Sequence, residues 1–544
     1  MEDMSTFAET VFKHKYAMRK ENGELETWFE LADRVAWEVV GPYYPELVRD
    51  VRDLIAERKF IPGGRYLYAA GRKFPQVQNC LLLDVEDSRE GWAGLMERVT
   101  NGLMTGAGVG VVYSELREEG AKVGGLGGES TGPLALMNMV NEAGRHIMQG
   151  GSRRSAIWAG LHWNHPDVFK FIHAKDWSQE VRDLKEKDFN FPAPLDMTNI
   201  SVILDTEFFD AYEDEWHPLH TWAHDVYSLV TERMCKTGEP GFSIDAHENE
   251  GENLRNACTE ITSADDDDIC NLGSLNLARI ESKEDMAIAT RLATVYLLCG
   301  TLYSTVPYPE VAETREKNRR LGLGLMGIHE WLLQRGKPYA PDDELGEWLE
   351  TYQNVSDEAA MQGALSLDVS APVKKRAIAP TGSIAILGET TSGIEPVFCA
   401  AFKRRYLKGQ TWHAQYVVDA TAKRMVDQGV NPAVIEDAYD LAEDVDRRIE
   451  FQAWVQQYVD HGISSTINLP EWGSEHNNKD TVAYFGDVLY NHLPMLRGIT
   501  TYPDGARGGQ PITKVSLAEA MEFEGVEFEE FGNENACVGG SCGL

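Results

Sequence analysis

The chain has 544 residues, 43% hydrophobic and 25% charged, which is usual for a soluble globular protein with two or more structural units. Its net charge of −36 argues against binding the backbone of DNA or RNA, although a few local arginines and backbone amides suffice for a nucleotide. Eight cysteines are too few for a disulfide scaffold. The acidic N-terminus and the short apolar runs predict neither a signal peptide nor a membrane span, so a reducing cytoplasm is the expected location.

Three units are predicted in chain order. Residues 1–75 are mostly helical, because the stretch from Thr27 to Ala36 has apolar residues at helical spacing. From 76 to 507, β-rich runs alternate with helical stretches and Gly-rich turns, which favours an α/β fold. Residues 508–544 read as a linker and tail, in which an acidic run from Glu519 to Glu530 has the spacing of a short helix.

Two glycine-rich stretches do not match nucleotide-binding fingerprints. In the stretch 106–111, Val111 stands where the last glycine of GxGxxG is required, and the stretch 124–132 lacks the lysine of a P-loop. Both are therefore interpreted as turns. The later pair Arg153-Arg154 is, taken alone, more typical of a solvated basic turn.

The segment from Asn256 to Glu260 carries the strongest chemical signal. It places an amide, the Cys258 thiol and a carboxyl group at alternate positions, which would share one face of an extended strand but not of a helix. Such a set suits radical or nucleophilic chemistry on a polar substrate. An ordinary strand with a buried cysteine is the simpler alternative for the pentapeptide alone.

Other segments add to this signal. The turn Pro380-Thr381-Gly382-Ser383-Ile384 offers hydroxyl and N–H groups that would bind an anion without a lysine, with helix capping as the alternative. Further thiols are Cys80, Cys270 and the terminal pair Cys537 and Cys542. The terminal pair is half of a zinc site at most, and no CxxC pair completes four ligands, so no metal site is predicted.

The cysteine contexts at Cys80, Cys258 and Cys270, followed by the terminal dithiol, resemble the catalytic subunit of the ribonucleotide reductases, in the order of that family. The resemblance extends from about Phe60 to the C-terminus. It implies a ten-stranded α/β barrel, built from two five-stranded parallel halves, with the Cys258 loop in its centre.

The same resemblance implies roles for the central residues. Cys258 would become a transient thiyl radical that removes the 3′ hydrogen of the ribose. Glu260 would take the proton of the 3′ hydroxyl, and Asn256 would hydrogen-bond the substrate. The turn 380–384 would bind the substrate phosphates.

The remaining thiols would carry electrons. By resemblance, Cys80 and Cys270 supply two electrons and close to a disulfide. Cys537 and Cys542 would reduce that disulfide by thiol exchange, and thioredoxin or glutaredoxin would recharge them. A glycine-rich terminus suits a segment that must visit a buried site.

The family also implies regulation. Deoxynucleotide or ATP effectors would bind at the interface of a homodimer, with Asp87 and Arg117 as contacts and Arg153 relaying effector identity to the substrate. The N-terminal ATP cone that many members carry is not expected in this chain. The short chain suggests a streamlined version from a virus or phage.

The radical source has two candidates. The element from Tyr502 to Arg507 resembles the adenosylcobalamin-dependent branch, although Pro503, Ala257 and Thr259 depart from its usual residues. The alternative is a separate dimetal β subunit, with Tyr502 as a lone relay. A non-catalytic nucleotide-binding or thiol-sensing protein on the same scaffold is the alternative of another class.

Overall fold

The computed structural model describes residues 4–124, 127–150, 153–188, 191–408, 411–506 and 512–529. Its α-helices are α1 Thr6–Lys15, α2 Trp28–Val40, α3 Val48–Ala56, α4 Gly64–Ala69, α5 Arg89–Thr105, α6 Gly132–His146, α7 Val168–Ile172, α8 Gln179–Lys187, α9 Thr206–Glu213, α10 His220–Thr237, α11 Lys283–Tyr303, α12 Pro309–Asn318, α13 Ile328–Gln334, α14 Asp343–Leu367, α15 Ile384–Gly388, α16 Ala420–Asp427, α17 Ala438–Ala442, α18 Val445–Gln456, α19 Val482–His492 and α20 Leu517–Glu522.

The strands of the same residues are β1 Phe60–Pro62, β2 Cys80–Leu83, β3 Gly108–Val112, β4 Lys122–Val123, β5 Gly128–Glu129, β6 Met148–Gln149, β7 Arg153–Arg154, β8 Ile157–His162, β9 Thr198–Asp205, β10 Gly241–Asp245, β11 Leu254–Arg255, β12 Thr262–Ser263, β13 Asp268–Asn276, β14 Leu321–Met326, β15 Ala401–Lys408, β16 Thr411–Val418, β17 Thr466–Leu469, β18 Gly498–Pro503, β19 Ile512–Lys514 and β20 Glu527–Glu529. Helices and strands alternate along most of the chain, so the predicted α/β class is confirmed.

The N-terminal region is mainly helical, as predicted. Thr27 begins α2 with a reciprocal cap, in which its hydroxyl accepts from the Glu30 N–H and the Glu30 carboxylate accepts from the Thr27 N–H. The strand β1 is the exception to the helical pattern. It pairs antiparallel with β13, Phe60 opposite Leu275, and so joins this region to the central sheet.

Ten strands form one mixed sheet. β2, β3, β8, β9 and β10 run parallel, side by side in chain order. At one end β10 pairs antiparallel with β18, which is parallel to β17; at the other, β2 pairs antiparallel with β13, which is parallel to β14. Two isolated parallel bridges, Leu323 with Arg376 and Ile378 with Ile463, lie between β14 and the segment that leads to β17.

The two faces of this sheet carry different apolar clusters, because successive strand residues point to opposite sides. Leu81, Leu83, Val109 and Val111 pack against the surrounding helices in one large cluster. The inner face is a small cluster that includes both Cys80 and Cys270; its other buried members are Leu82, Val112, Trp158, Ile203, Leu254, Ile261 and Ala377.

Helix α11 corrects the expectation that no apolar stretch is long enough to span a membrane. By length and composition alone it would cross a bilayer, but 72% of its apolar window is buried inside the protein. It packs against α2, α14 and β13. We therefore interpret α11 as a core helix.

The predicted linker and tail is partly folded. β19 and β20 pair with the two outer edges of the β15–β16 hairpin, which gives a four-stranded antiparallel sheet in the order β19-β15-β16-β20. The short helix expected in the acidic run is α20. Cys537 and Cys542 lie outside the described residues.

Candidate active site

Residues 256–261 form a turn between β11 and β12, which we call the active-site loop. Its base is a short ladder in which Arg255 pairs with Thr262. The Thr259 N–H donates to the Asn256 carbonyl at 3.0 Å, and Thr259 has a φ of 67°. The expectation of an extended strand is therefore wrong: a tight turn, rather than strand alternation, groups the side chains of this segment.

The active-site loop is held in place by β3 and by hydrogen bonds with its own Asn256 and with Gly462. β3 approaches it so closely that a Cβ on Gly110 would lie 1.8 Å from the Arg255 carbonyl oxygen. The Asn256 side-chain oxygen accepts from the Ile261 N–H at 3.0 Å, and the Gly462 N–H donates to the Glu260 carbonyl at 2.7 Å. These contacts fix the loop across the inner face of the sheet.

Cys80 and Cys270 are directly opposite each other in the antiparallel pair of β2 and β13. Both are buried free thiols. Burial raises the pKa of Cys80 well above its usual value, and so do the neighbouring Glu260, Cys270 and Cys258. The structure thus brings the three predicted active-site thiols and Glu260 within electrostatic range of one another.

Glu260 is fully buried. Burial raises the pKa of its carboxyl group to about 7, and the neighbouring Asn256 side chain offsets this only in part. Among the described residues, neither carboxylate oxygen has a hydrogen-bond partner of good geometry. A buried carboxyl that is about half ionised near neutrality and has no fixed partner is suited to exchange a proton with a bound molecule.

Cys258 opens onto a cavity of about 250 Å³. Burial and Glu260 both raise the pKa of its thiol, which favours the neutral form. The cavity is also lined by Trp158, Asn199, Ile200, Ser201, Gly238, Glu239, Ala257, Thr259, Pro380, Ile463, Ser464, Ser465, Thr466, Gly498, Ile499, Thr500, Thr501 and Tyr502. A second cavity, of about 360 Å³, shares Tyr502 with the first and is bordered by Phe398, Tyr439 and Lys514.

The predicted phosphate turn lies beside the same cavity through Pro380. Thr381 has a φ of 50°, and its hydroxyl accepts from the Gly393 N–H at 2.9 Å, while a Cβ on Gly382 would meet only open space. Lys15 of α1 donates to the Ser383 hydroxyl at 3.3 Å, so a cation lies beside the turn. Lys15 is distant in sequence, so no local pattern could have indicated it.

The predicted effector residues are partly brought together. The Arg117 Nε lies 2.7 Å from an oxygen of Asp87, and both side chains are about one-third exposed (37% and 31%). The described backbone places Arg153 in β7 opposite Gln149, and its side chain lies outside the description. Arg117 also donates to the Lys122 carbonyl at 3.4 Å.

A buried ionic cluster near the loop was not predicted from the sequence. Arg320 lies 2.6 Å from Asp268, two residues before Cys270, and 3.2 Å from Glu252. Lys374 also pairs with Glu252. Two consecutive arginines directly before the buried strand β14 were the available signal.

Comparison with known proteins identifies the family. Residues 78–221, 206–346 and 374–493 match the family described as "Ribonucleotide reductase, barrel domain", and residues 2–75 match "Ribonucleotide reductase, all-alpha domain". The chain belongs to the ribonucleotide reductase family. The loop, the thiol pair and the phosphate turn all fall within or directly beside these matches.

Three relatives illustrate the similarity. A "Vitamin B12-dependent ribonucleoside-diphosphate reductase" of Mycobacterium tuberculosis is 26% identical, over 99% of this chain and 84% of the relative. The protein of the same name from Thermoplasma acidophilum is also 26% identical, over 97% and 74%. A reductase of Mycobacterium phage D29, named for adenosylcobalamin and ribonucleoside triphosphates, is 28% identical over 84% and 75%.

Proposed function

We propose that this chain reduces ribonucleotides to 2′-deoxyribonucleotides by thiyl-radical chemistry. The observation that carries the proposal is the active-site loop, which sets Cys258 and Glu260 next to the cross-strand pair Cys80 and Cys270. Membership of the ribonucleotide reductase family supports the same reaction.

The protonation states suit these roles. A thiol whose pKa is raised keeps its hydrogen, so Cys258 is a poor thiolate nucleophile at neutral pH and is suited to hydrogen-atom exchange with the ribose. Glu260 titrates near pH 7 and would take the proton of the 3′ hydroxyl. Asn256 would hydrogen-bond the substrate through its side-chain amide.

The electrons would come from the thiol pair. Cys80 and Cys270 stand at cross-strand positions, and their oxidation to a disulfide would deliver two electrons to the substrate. Cys537 and Cys542 would then reduce this disulfide, and thioredoxin or glutaredoxin would recharge them. The turn 380–384 would bind the substrate phosphates, with Lys15 nearby as a cation.

The radical source we propose is adenosylcobalamin, because the relatives that match nearly the whole chain are named for vitamin B12. The position of the thiol suits such a group: Cys258 borders a cavity that adjoins a larger one at Tyr502, so a molecule bound on that side could reach it. Ala257, Thr259 and Tyr502 are the residues that would contact it. Adenosylcobalamin supplies an organic radical when it is bound. Neither a separate β subunit nor a non-catalytic role is favoured.

We also propose that the central sheet closes into the ten-stranded barrel of the family. Support comes from the strand directions: the five parallel strands β2, β3, β8, β9 and β10 are flanked on one side by the antiparallel β13 and on the other by the antiparallel β18. The parallel bridges Leu323–Arg376 and Ile378–Ile463 would link β14 to β17 and complete a second parallel set of five. The loop would then lie in the centre of the barrel.

Regulation and assembly follow the family in our proposal. The ion pair of Asp87 and Arg117 would open to bind a deoxynucleotide or ATP effector, and Arg153 would pass its identity to the substrate. A homodimer is supported by the exposed methionines of α5, α6 and β6, namely Met104, Met139 and Met148, which are 61%, 48% and 56% exposed. The protein would act in the cytoplasm. If it comes from a phage, that would be the cytoplasm of the host.

The decisive assay measures formation of dCDP or dCTP from the ribonucleotide, with dithiothreitol as reductant and with or without adenosylcobalamin. We expect turnover with adenosylcobalamin alone. Turnover that requires an added metal-containing subunit would overturn the cofactor and leave the reaction standing. No product under either condition would contradict the proposed function.

The substitution Cys258→Ser tests the thiyl step. A hydroxyl does not form the corresponding radical under these conditions, so we expect turnover to fall to background while binding of a deoxynucleotide effector is unchanged. Cys235→Ser is the matched control, because Cys235 is a buried thiol on α10 that packs in the large apolar cluster and not in the cluster of Cys80 and Cys270. Retained activity in Cys258→Ser would exclude the proposed mechanism.

A further inference from the structure

The thiol pair lies in a row that crosses four adjacent chain segments. Cys80 is opposite Gly108 of β3, and Cys270 is opposite Cys80. On the other side of β13, Asn271 is opposite Leu321, the first residue of β14, so Arg320 comes next to Cys270. Because neighbours in such a row point to the same face, the row reads Arg320, Cys270, Cys80, Gly108.

The two ends of this row differ in the groups that adjoin them. At one end Gly108 carries no side chain, and a Cβ there would lie 3.0 Å from the Cβ of Ala257, so the active-site loop lies directly over it. Cys80 is therefore the thiol on the side of the loop. Cys270 is fully enclosed, and its thiol donates to the Asn271 carbonyl at 3.3 Å.

The two thiols also differ in charge environment. Arg320 approaches Cys270 with a guanidinium held by Asp268 at 2.6 Å and by Glu252 at 3.2 Å. Burial, Asp268 and Glu260 raise the pKa of Cys270, and Arg320 acts in the opposite direction. The groups that act most strongly on Cys80, besides burial, are Glu260 and the other two thiols, and all of them raise its pKa. Of the two thiols, Cys270 is the one with a cation beside it, and Arg320 partly offsets the groups that disfavour a thiolate there.

We propose that thiol exchange at this pair has a fixed direction, in which the incoming thiolate bonds to Cys80 and Cys270 leaves beside Arg320. This rests on the proposed function. The bond between the Cys80 and Cys270 sulfurs breaks as the new disulfide to Cys80 forms, and the electron pair passes to Cys270, which then takes a proton. The second thiol of the incoming dithiol attacks the first, and Cys80 is released as a thiol. The dithiol ends as a disulfide, and its two protons end on Cys80 and Cys270.

The test maps the mixed disulfide on the full chain carrying Cys537→Ser and Cys542→Ser, oxidised with diamide to close the pair and then desalted. The probe is a synthetic peptide of residues 534–544 with serine in place of Cys542. After acid quenching, N-ethylmaleimide marks the freed thiol and peptide mass spectrometry locates both labels. We expect the peptide on Cys80 and the maleimide on Cys270, in excess of the reverse by about tenfold. The urea-unfolded protein should show no such preference.

Two further variants separate charge from access. Arg320→Lys keeps the cation and should keep the preference, whereas Arg320→Gln removes it and should reduce the preference several-fold. If Arg320→Gln does not fold, the mapping on the chain with Arg320 intact still decides the direction. Peptide attached mainly to Cys270, or equally to both thiols, overturns the inference. The proposed function, formation of deoxynucleotides, would not be contradicted by that result. Failure of the peptide to exchange with the folded pair, when the unfolded chain exchanges, overturns the inference and the proposed electron relay together.

Discussion

Glu260 shows how one side chain couples chemistry to stability. Its carboxyl group is fully buried with a pKa of about 7, against a usual value of 4.5, because burial disfavours the charged form. The folded state therefore prefers the protonated acid, and this preference contributes stability that is complete below about pH 4.5 and is lost as the pH rises through about 7. The carboxylate that catalysis needs as a proton acceptor forms as the pH rises through about 7.

We predict opposite effects of Glu260→Gln on stability and activity. The amide cannot ionise, so at pH 8 the variant should avoid the cost of a buried carboxylate, about 3 kcal/mol for a shift of this size. At pH 5 the folded wild-type acid is protonated, and the difference should fall to about 1 kcal/mol. Urea unfolding at the two pH values measures this, and the wild-type rate of deoxynucleotide formation should rise with pH through about 7.

Glu450→Gln is the matched control for that experiment, since Glu450 is exposed on α18. Its substitution should change neither the pH dependence of unfolding nor turnover. A Glu260→Gln protein that keeps full activity, or that is less stable than the wild type at pH 8, would contradict the role assigned to the carboxyl group.

The members of the site could be predicted from the sequence where the chemistry depends on a distinctive group. The thiols Cys80, Cys258 and Cys270 and the carboxyl Glu260 were placed in one site, and the structure brings them together. Partners from distant segments were not predictable, because no local pattern links Lys15 to Ser383 or Arg320 to Asp268. Such contacts depend on how the chain folds back rather than on spacing.

At the scale of elements, the active-site loop shows why strand alternation failed as a prediction. Three alternating polar residues fit either a strand or a turn, and the choice is made by β3, which leaves space for the loop only because Gly108 and Gly110 lack side chains. The loop backbone is then fixed by hydrogen bonds to its own Asn256 and to Gly462. Packing against a neighbouring strand thus overrode the local pattern.

The substitution Gly110→Ala tests this close approach. Its Cβ would lie 1.8 Å from the Arg255 carbonyl oxygen and 2.8 Å from the Arg255 carbonyl carbon, so backbone must move at the base of the loop. We expect a loss of about 1–3 kcal/mol in the free energy of unfolding. A loop displaced by about 1 Å would also lower turnover by about 100-fold.

Gly128→Ala provides the comparison, because a Cβ on Gly128 would meet nothing within 4 Å. It should match the wild type in urea unfolding and in turnover. If Gly110→Ala behaved like Gly128→Ala in both measurements, the close contact between β3 and the loop would not position the catalytic groups.

At the scale of the whole molecule, the α/β class and the helical N-terminal region were predictable from alternation and periodicity. The predicted domain ends at 75 and 507 stay predictions. The sheet order was not available from the sequence, because β13 pairs with β1, β2 and β14, which are far apart along the chain. The two strands of the tail were not predicted for a similar reason, because they form only on the edges of the β15–β16 hairpin.

This folded part, residues 512–529, anchors the segment that leads to the terminal thiols. Lys514 lies 2.7 Å from both Asp437 and Asp440, beside the cavity that contains Tyr502. Ala520 of α20 is fully buried against Ala401 and Val418 of the hairpin. Cys537 follows Glu529 by eight residues, so the anchor sets the point from which the proposed dithiol starts.

We therefore predict that Ala520→Asp slows recharging but not chemistry. A carboxylate at this buried position would release α20 and its flanking strands, and the terminal thiols would then search from a more distant attachment point. Because effective concentration falls with about the −3/2 power of tether length, multiple turnovers with thioredoxin should slow several-fold. A single turnover of the pre-reduced enzyme should be unchanged.

Met521→Asp, on the more exposed side of the same helix, should leave both rates as in the wild type. Hydrogen exchange over residues 512–529 must rise in Ala520→Asp for the comparison to hold. If exchange rises there and thioredoxin-dependent turnover does not fall, the anchor has no part in electron delivery.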